Sequence, residues 1–274
     1  MQPASKADSP KQHDPQAKPL AGQHALVTGG NRGIGAAIAE ELVRLGVNLT
    51  LAARDRESLN QRREHLSKIG PSAISLQVMD LTDPNSIAQS HTAARDDLGP
   101  ITILINNAGV APSAPLDKLE LKSWEQTFAI NVQAVFLLSQ AVLPGMQDKG
   151  FGRIVNIAST AGLRGYPFVA GYVASKHALV GLTRAMAVEL AKGPITVNAV
   201  CPGYTETEIA LNAIANIQKS GKTEAEARAI LTRGNPQGRL VQPEEIAATV
   251  AWLCLPSSCA VTGQSVAVAG GEVM

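Results

Sequence analysis

The sequence predicts an α/β protein built on one doubly wound parallel sheet of about seven strands, with helices on both faces. Three observations carry this. From His24 onward, short apolar runs alternate with amphipathic stretches, the pattern of repeated strand–helix–strand units. The apolar runs are near-continuous rather than alternating in polarity, as strands are when helices cover both faces of a sheet. The 24 glycines in 274 residues supply the tight turns that so many short elements need.

Strands are expected at residues 24–28, 48–53, 73–80, 101–106, 153–158, 195–200 and 265–269. Helical patterns begin near Gly33, Arg56, Pro84, Leu121, Gly171, Thr205 and Pro243. Right-handed crossovers then place all seven strands in one sheet. No linker divides residues 21–274, so they read as one domain. Only 206–237 breaks the rhythm, with helical stretches and no strand between. An insert there, near the carboxyl ends of the strands, is expected to form a lid over a site.

Residues 1–20 are rich in Pro, Lys, Gln and Asp and poor in apolar side chains. They are expected to be a disordered tail outside the fold. The tail has no hydrophobic core of a secretory signal, and no apolar run approaches the roughly 20 residues that span a bilayer. A cytoplasmic protein is therefore expected. A net charge of +1 argues against a nucleic-acid or membrane surface. Cys201, Cys254 and Cys259 lack metal-type spacing, and an odd count suits reduced thiols. The five histidines (His13, His24, His65, His91, His177) form no ligand cluster, so no metal site is expected.

The chemistry centres on Tyr172-Val173-Ala174-Ser175-Lys176, inside an apolar-periodic run at 170–192 that reads as a helix. Four residues apart, Tyr172 and Lys176 share one helix face. A free phenol, with a pKa of about 10, is a poor acid or base near neutrality. An ammonium beside it favours the phenolate and is expected to lower that pKa, making the pair a proton donor or acceptor for an alcohol. A solvated surface pair is the bland alternative, and the rest of the sequence decides between them. The first strand runs into Thr28-Gly29-Gly30-Asn31-Arg32-Gly33-Ile34-Gly35 with a helix directly after. A glycine turn between strand and helix lets backbone N–H groups and a helix N-terminus approach a pyrophosphate.

Thr28-Gly29 with Gly33 and Gly35, Asn106-Asn107-Ala108-Gly109, Asn131, Ser159, Tyr172 with Lys176, and Pro202-Gly203 occur in an order and at spacings that resemble the short-chain dehydrogenase/reductase family. The resemblance covers residues 22–274 and implies a Rossmann-type fold and hydride transfer between nicotinamide and a carbinol or ketone carbon. It implies that Gly29, Asn31, Arg32, Gly33, Ile34 and Gly35 hold the pyrophosphate and adjoining ribose. Asp80 and Leu81 would contact adenine, and Asn106, Asn107, Ala108 and Gly109 the nicotinamide ribose side. Tyr172 would be the acid/base, Lys176 would lower its pKa while gripping the ribose, and Ser159 would steady the substrate oxygen. Asn131 would hold a water linking Lys176 to bulk. Pro202, Gly203, Thr205 and Thr207 would fix the carboxamide.

Bland readings stand beside these roles. Ser159 serves equally as a strand-end cap, Asn131 as a partner for buried backbone in a kinked helix, and residues 106–109 as a brace for the sheet. His177 and Cys201 read as packing residues, and Trp124 and Trp252 as core.

A carboxylate about 20 residues past the glycines marks NAD specificity. Here the second strand ends Ala52-Ala53-Arg54. Arg54, with Arg32 opposite, suits a 2′-phosphate and favours NADP(H), while Asp55 keeps NAD(H) open. The segments 235–245 and 262–271 are similar to 3-oxoacyl-thioester reductases and polyketide ketoreductases. A 3-oxoacyl-CoA or acyl-carrier thioester is therefore the first-choice substrate, with Lys219, Lys222, Arg228 and Arg233 of the lid segment as candidate cations for its tail. Cyclic ketones, sugars and steroids are the alternatives, as is an idle NADP-binding sensor or scaffold. Apolar strand 265–269 at a sheet edge and an apolar helix before it predict a homotetramer, or else a homodimer.

Overall fold

The computed structural model describes residues 18–274, so the expected tail lies almost wholly outside the described residues. Leu20 is nonetheless in the core, and its N–H donates to the Leu45 carbonyl at 3.2 Å. The folded chain therefore begins ahead of Ala21.

Seven strands form one parallel sheet in the order β3-β2-β1-β4-β5-β6-β7. They are β1 His24–Thr28, β2 Asn48–Ala53, β3 Ile74–Val78, β4 Ile103–Asn106, β5 Gly152–Ile157, β6 Ile195–Pro202 and β7 Ser265–Val268. Strands β3, β4 and, by its last residue, β7 are shorter than their apolar runs. Ladder bonds stop once the chain turns to cap helix α3, where Asp83 accepts the Asn85 N–H, and Thr102 faces the start of β1 without joining β4. Helices α1 (Gly33–Arg44), α2 (Arg56–Leu66) and α9 (Pro243–Cys254) share one apolar layer with the sheet, built on Leu42, Leu49, Ile103, Ile246 and Leu253. On the other face α3 (Pro84–Leu98), α5 (Ala134–Asp148) and α6 (Ala170–Leu190) enclose Leu104, Leu138, Val142, Met146 and Val197. The strand order reverses between β1 and β4, and that opens a crevice at their carboxyl ends.

Several expectations are corrected here. Helix α4 (Leu121–Phe128), a π-helical turn (Ala129–Gln133) and α5 form a continuous helical run of 28 residues that contains an 18-residue stretch apolar enough to cross a bilayer. The expectation that no run has that length was wrong. Here α5 lays Leu138, Val142 and Met146 against the sheet. Trp124 and Trp252 are not core: they are 36% and 46% exposed, and Trp124 stacks on Phe128 at 4.9 Å. The aliphatic side chains of α9 expected to face outward are buried, Ile246, Val250 and Leu253 fully, so Trp252 is the apolar group this helix exposes. Segment 206–237 is helical, as α7 (Glu208–Gln218) and α8 (Glu224–Thr232), around a small cluster of Ala210, Ile214, Ala227 and Leu240.

Candidate active site

Where β5 ends, the chain turns through Ser159 into a short helical turn, and the Ser159 hydroxyl accepts the Ala161 N–H at 3.1 Å. The same side chain lies near enough to the Tyr172 phenol to favour its ionised form. The cap and the tyrosine contact thus coexist. One turn further along α6, the buried Lys176 ammonium donates to the Ile157 carbonyl at 2.7 Å and lies 5.6 Å from the Tyr172 ring centre. Asn131 sits in the π-helical turn, an irregularity that aims a side chain off the regular helix face. Its amide donates to the Val110 carbonyl at 2.9 Å and to Ser175 Oγ at 3.0 Å, and its Oδ1 accepts the Val110 N–H at 2.9 Å. A Cβ on Gly109 would stand 3.2 Å from Asn131 Oδ1 and 3.5 Å from Lys176 Nζ. Gly109 therefore keeps open the space between those two groups.

The electrostatics differ from the sequence expectation. Burial pushes the Tyr172 phenol up, Ser159 opposes this, and Tyr204 and Cys201 reinforce it. Lys176 is itself desolvated and falls to about 8, which still leaves it protonated at neutral pH. Burial disfavours the charged form of each, so the phenol holds its proton at neutral pH. Cys201 is buried, and its thiol is pushed up to about 11 by the same desolvation, which leaves it inert. His177 is exposed and bonds its own helix at Val173.

At the other end of the crevice the glycine turn is made by backbone. Gly29 has a φ of 63°, in the region that favours glycine. A Cβ on Gly35 would overlap the Gly29 carbonyl oxygen and stand 2.5 Å from Asn107 Nδ2. Asn107 stitches the turn shut, donating to the carbonyls of Thr28 at 2.9 Å and Gly29 at 3.2 Å. The Thr28 hydroxyl accepts the N–H groups of Asn107 and Ala108. Asn31 donates to Ser58 Oγ at 2.9 Å, which ties the turn to α2, and Ile34 packs on the core. Asn106 does not line the crevice: it is buried and donates to Asn156 at 2.8 Å between β4 and β5. This cradle, which a side chain at Gly35 would fill, fits a dinucleotide pyrophosphate at the start of α1.

Asp55 is spoken for. Its carboxylate accepts the N–H groups of Glu57 and Ser58 at the start of α2, and its bonds with Ser58 and Glu57 hold its pKa below the usual range. Arg54 at the end of β2 is exposed, and its charge is felt at Asp80. Asp80 accepts from the backbone and hydroxyl of Thr82, while Leu81 packs below. Arg32 departs from expectation, since it pairs with Glu208 at the start of α7.

After β6, Pro202 and Gly203 lead to Thr205, which donates to the Gly203 carbonyl at 3.0 Å, and to Thr207, which starts α7 and donates to Thr205. Residues 204–206 pair with Val241, anchoring the helical segment. Arg228 of that segment is held by both carboxylate oxygens of Glu206 and by Glu224, so it is not a free cation. Three linked groups escaped the sequence reading: Tyr204, whose charge is felt at Tyr172, Tyr166, which lies edge-on to Tyr204, and Glu272, which accepts the Tyr166 hydroxyl. The Gly270-Gly271 turn before Glu272 was the available signal, since it swings the end of the chain back over the crevice.

The family model for short chain dehydrogenases matches residues 23–218. The chain belongs to that family. As a short chain dehydrogenase it is an oxidoreductase acting on a small carbonyl or alcohol. A 3-oxoacyl-(acyl-carrier-protein) reductase of Vibrio cholerae is 36% identical over 255 residues, covering 93% of this chain and 99% of that one. Gluconate 5-dehydrogenase of Gluconobacter oxydans is 37% identical over 252 residues, covering 92% and 95%. A crystal structure of a single-substitution variant of the actinorhodin polyketide ketoreductase with NADPH superposes with a TM-score of 0.87 at 38% identity, covering 91% and 97%.

Proposed function

We propose that this short chain dehydrogenase reduces a 3-oxoacyl thioester with NADPH. The reading rests on one observation: the Tyr172 phenol stands beside Ser159, with the ammonium of the buried Lys176 one helical turn on and 5.6 Å from its ring centre. Reduction of a ketone at neutral pH needs a proton donor at the oxygen, and a phenol raised by burial is in the required form.

NADPH bound along the crevice supplies the hydride. The protein does the rest. Ser159 and Tyr172 hydrogen-bond the ketone oxygen, and Tyr172 delivers its phenolic proton as the carbinol forms. Lys176, with its proton held to about pH 8, grips the ribose hydroxyls, stabilises the phenolate that Tyr172 becomes and passes a proton back to it. Asn131 holds the Val110 loop and Ser175 in place, and the remaining lone pair of its Oδ1 receives the water that reprotonates the lysine. Gly29, Asn31, Gly33, Ile34 and Gly35 cradle the pyrophosphate, and Asp80 and Leu81 flank adenine. Asn107, Ala108 and Gly109 border the ribose, and Pro202, Gly203, Thr205 and Thr207 hold the carboxamide. Helices α7 and α8 act as the lid. The second-strand end favours NADP(H): Asp55 is committed to its helix cap, and Arg54 is free to meet a 2′-phosphate, with Arg32 joining once it leaves Glu208. An exposed pair such as Arg32–Glu208 is weak enough to exchange.

The relatives at similar identity include both a thioester reductase and a sugar-acid dehydrogenase, so the pocket decides the substrate. Initial rates with acetoacetyl-CoA, a cyclic ketone and a keto-gluconate, each with NADPH and NADH, test the proposal. The highest kcat/KM is expected for acetoacetyl-CoA with NADPH, and a preference for the keto-gluconate would overturn the thioester assignment. A homotetramer is proposed as well. Leu121, Phe136 and Val188 leave apolar side chains exposed on α4, α5 and α6, as do Trp252 of α9 and Ala267 of β7. Light scattering reads the mass directly.

A further inference from the structure

We propose that Glu272 is a positioning residue whose carboxylate, through Tyr166, fixes one wall of the ketone pocket. The inference rests on the reading that the ketone binds against Tyr172. Glu272 lies two residues from the end of the chain, yet its side chain is only 5% exposed. Its Oε1 accepts the Tyr166 hydroxyl, which also meets Thr160 Oγ1 at 2.7 Å. Thr160 is the residue after Ser159, so this hydrogen-bonded chain ends beside the catalytic hydroxyl. On its other sides the carboxylate meets the Arg164 guanidinium at 4.0 Å and is packed against glycines: a Cβ on Gly203 would stand 3.1 Å from Oε2, and one on Gly234 would stand 3.2 Å from Oε1. One side chain therefore touches the loop after β5, the loop after β6 and the end of α8. These segments border the catalytic tyrosine, the expected nicotinamide and the proposed lid.

The loop that Glu272 grips needs an anchor. Phe168 has a φ of 64° and is the sole non-glycine residue with positive φ among the described residues. Such a backbone persists only where its surroundings hold it. One hold is the Phe168 carbonyl, which accepts the Ala114 N–H at 2.8 Å. The Tyr166–Glu272 bond is the other. The ring it holds lies edge-on to Tyr204, with centres 6.4 Å apart, and Arg164 covers its outer face at 5.1 Å. Tyr204 in turn is near enough to Tyr172 to oppose its ionisation. With its hydroxyl committed to Glu272, Tyr166 turns its ring to Tyr204, the group whose charge is felt at Tyr172. A polar contact to substrate is not its part, and the wall it makes is rigid.

The test compares Glu272→Ala, Glu272→Gln and Tyr166→Phe in the full chain, with NADPH and whichever ketone the unmodified enzyme reduces best. Losing one hydrogen bond to a charged group is expected to raise the ketone KM about tenfold in Glu272→Ala. The NADPH KM and kcat should stay within about twofold. Glu272→Gln keeps an acceptor for the phenol and should recover most of the loss, and Tyr166→Phe should reproduce it if Glu272→Ala folds poorly. Limited trypsin digestion supplies a readout independent of turnover, since Arg164 lies in the held loop and its side chain is 47% exposed. Cleavage after Arg164 should accelerate in Glu272→Ala and Tyr166→Phe but not in Glu272→Gln. Unchanged cleavage and KM in those two variants would overturn the proposal. So would a Gln variant as impaired as the Ala one. An unmodified protein that reduces no ketone would sink the catalytic reading instead, leaving the digestion result to judge Glu272 alone.

Discussion

At its glycine-turn end the crevice is walled by backbone, and at its ketone end by side chains drawn from separate segments of the chain. The first end is compact in sequence: Thr28 to Gly35, stitched by Asn107, with Asp55 closing the next helix. The second gathers Asn131, Ser159, Tyr172 and Lys176 with Tyr166, Tyr204 and Glu272, so it draws on the whole second half of the sequence. Backbone sites tolerate few residue types because sterics decide them. Side-chain sites depend on which loops the fold brings together. The largest consequence falls at the ketone end. Tyr172→Phe removes the proton donor but little volume, and general acids contribute about 10²- to 10⁴-fold. A loss of kcat in that range is expected with NADPH affinity kept, and a variant retaining more than about a tenth of kcat would refute the assignment.

The matching change at the glycine end acts by bulk. Gly35→Ala places a methyl against the Gly29 carbonyl oxygen and Asn107, neither of which yields without opening the turn. Overpacking of this kind costs about 1–3 kcal/mol. Both Tm and NADPH affinity should fall, whereas Tyr172→Phe should leave both unchanged. Isothermal titration with NADPH and a thermal melt of each variant measure the contrast directly. Equal NADPH affinity in Gly35→Ala and the unmodified chain would mean that the turn does not touch the pyrophosphate.

The contrast also explains what could be read from the sequence. The sheet was legible because a buried parallel strand is an apolar run bounded by turn residues, and that signal is local. The Tyr172–Lys176 pair and the glycine turn were legible because helix and turn geometry fix their spacing. What failed was whatever depended on the environment. The phenol was expected to be acidified by Lys176, but spacing carries no information about burial, and burial raises the phenol. Arg32 and Arg228 were read as free cations, yet Glu208 and Glu206 reach them from 176 and 22 residues away. Tyr166 and Glu272 were missed because they meet across 106 residues. Trp124 and Trp252 were placed inside on residue type alone, and the helix face overruled that.

Cofactor preference is the next smaller effect and lies wholly at the adenine end. Because Asp55 is tied up as a cap, the second strand has no free carboxylate for a ribose 2′-hydroxyl. Changing Ala53 to Asp and Arg54 to Ser supplies one and removes the cation facing a 2′-phosphate. Hydrogen bonds to charged groups are worth about 1.5–3 kcal/mol, so the NADPH/NADH ratio of kcat/KM should fall by roughly tenfold or more. An unchanged ratio would show that Arg54 does not meet the phosphate. The ketone KM should not move, since the two ends are built independently.

The smallest effect lies beyond both, at the amino end of the sheet, where a histidine does purely structural work. His24 is buried at the start of β1, with Nδ1 on the Gly99 carbonyl at 2.8 Å and Nε2 on Thr50 Oγ1 at 2.9 Å. Burial lowers its pKa from the ordinary 6.5. The Gly99 carbonyl and then Asp97 oppose this, and His91 adds slightly to it. Its folded pKa therefore lies below its unfolded one, and between the two the unfolded chain binds more protons. Stability is then fully present above about pH 6.5 and declines as pH falls through that window toward the folded pKa. His91 is lowered by burial too and contributes in the same direction. His24→Asn keeps a polar partner for Gly99 or Thr50 but cannot titrate, so it should be less stable at pH 8 and lose less on acidification. Urea midpoints at pH 8, 6.5 and 5 measure both slopes. If the Asn variant falls as steeply as the unmodified chain, His24 is not the acid-sensitive group, and the sensitivity belongs to His91 or the carboxylates.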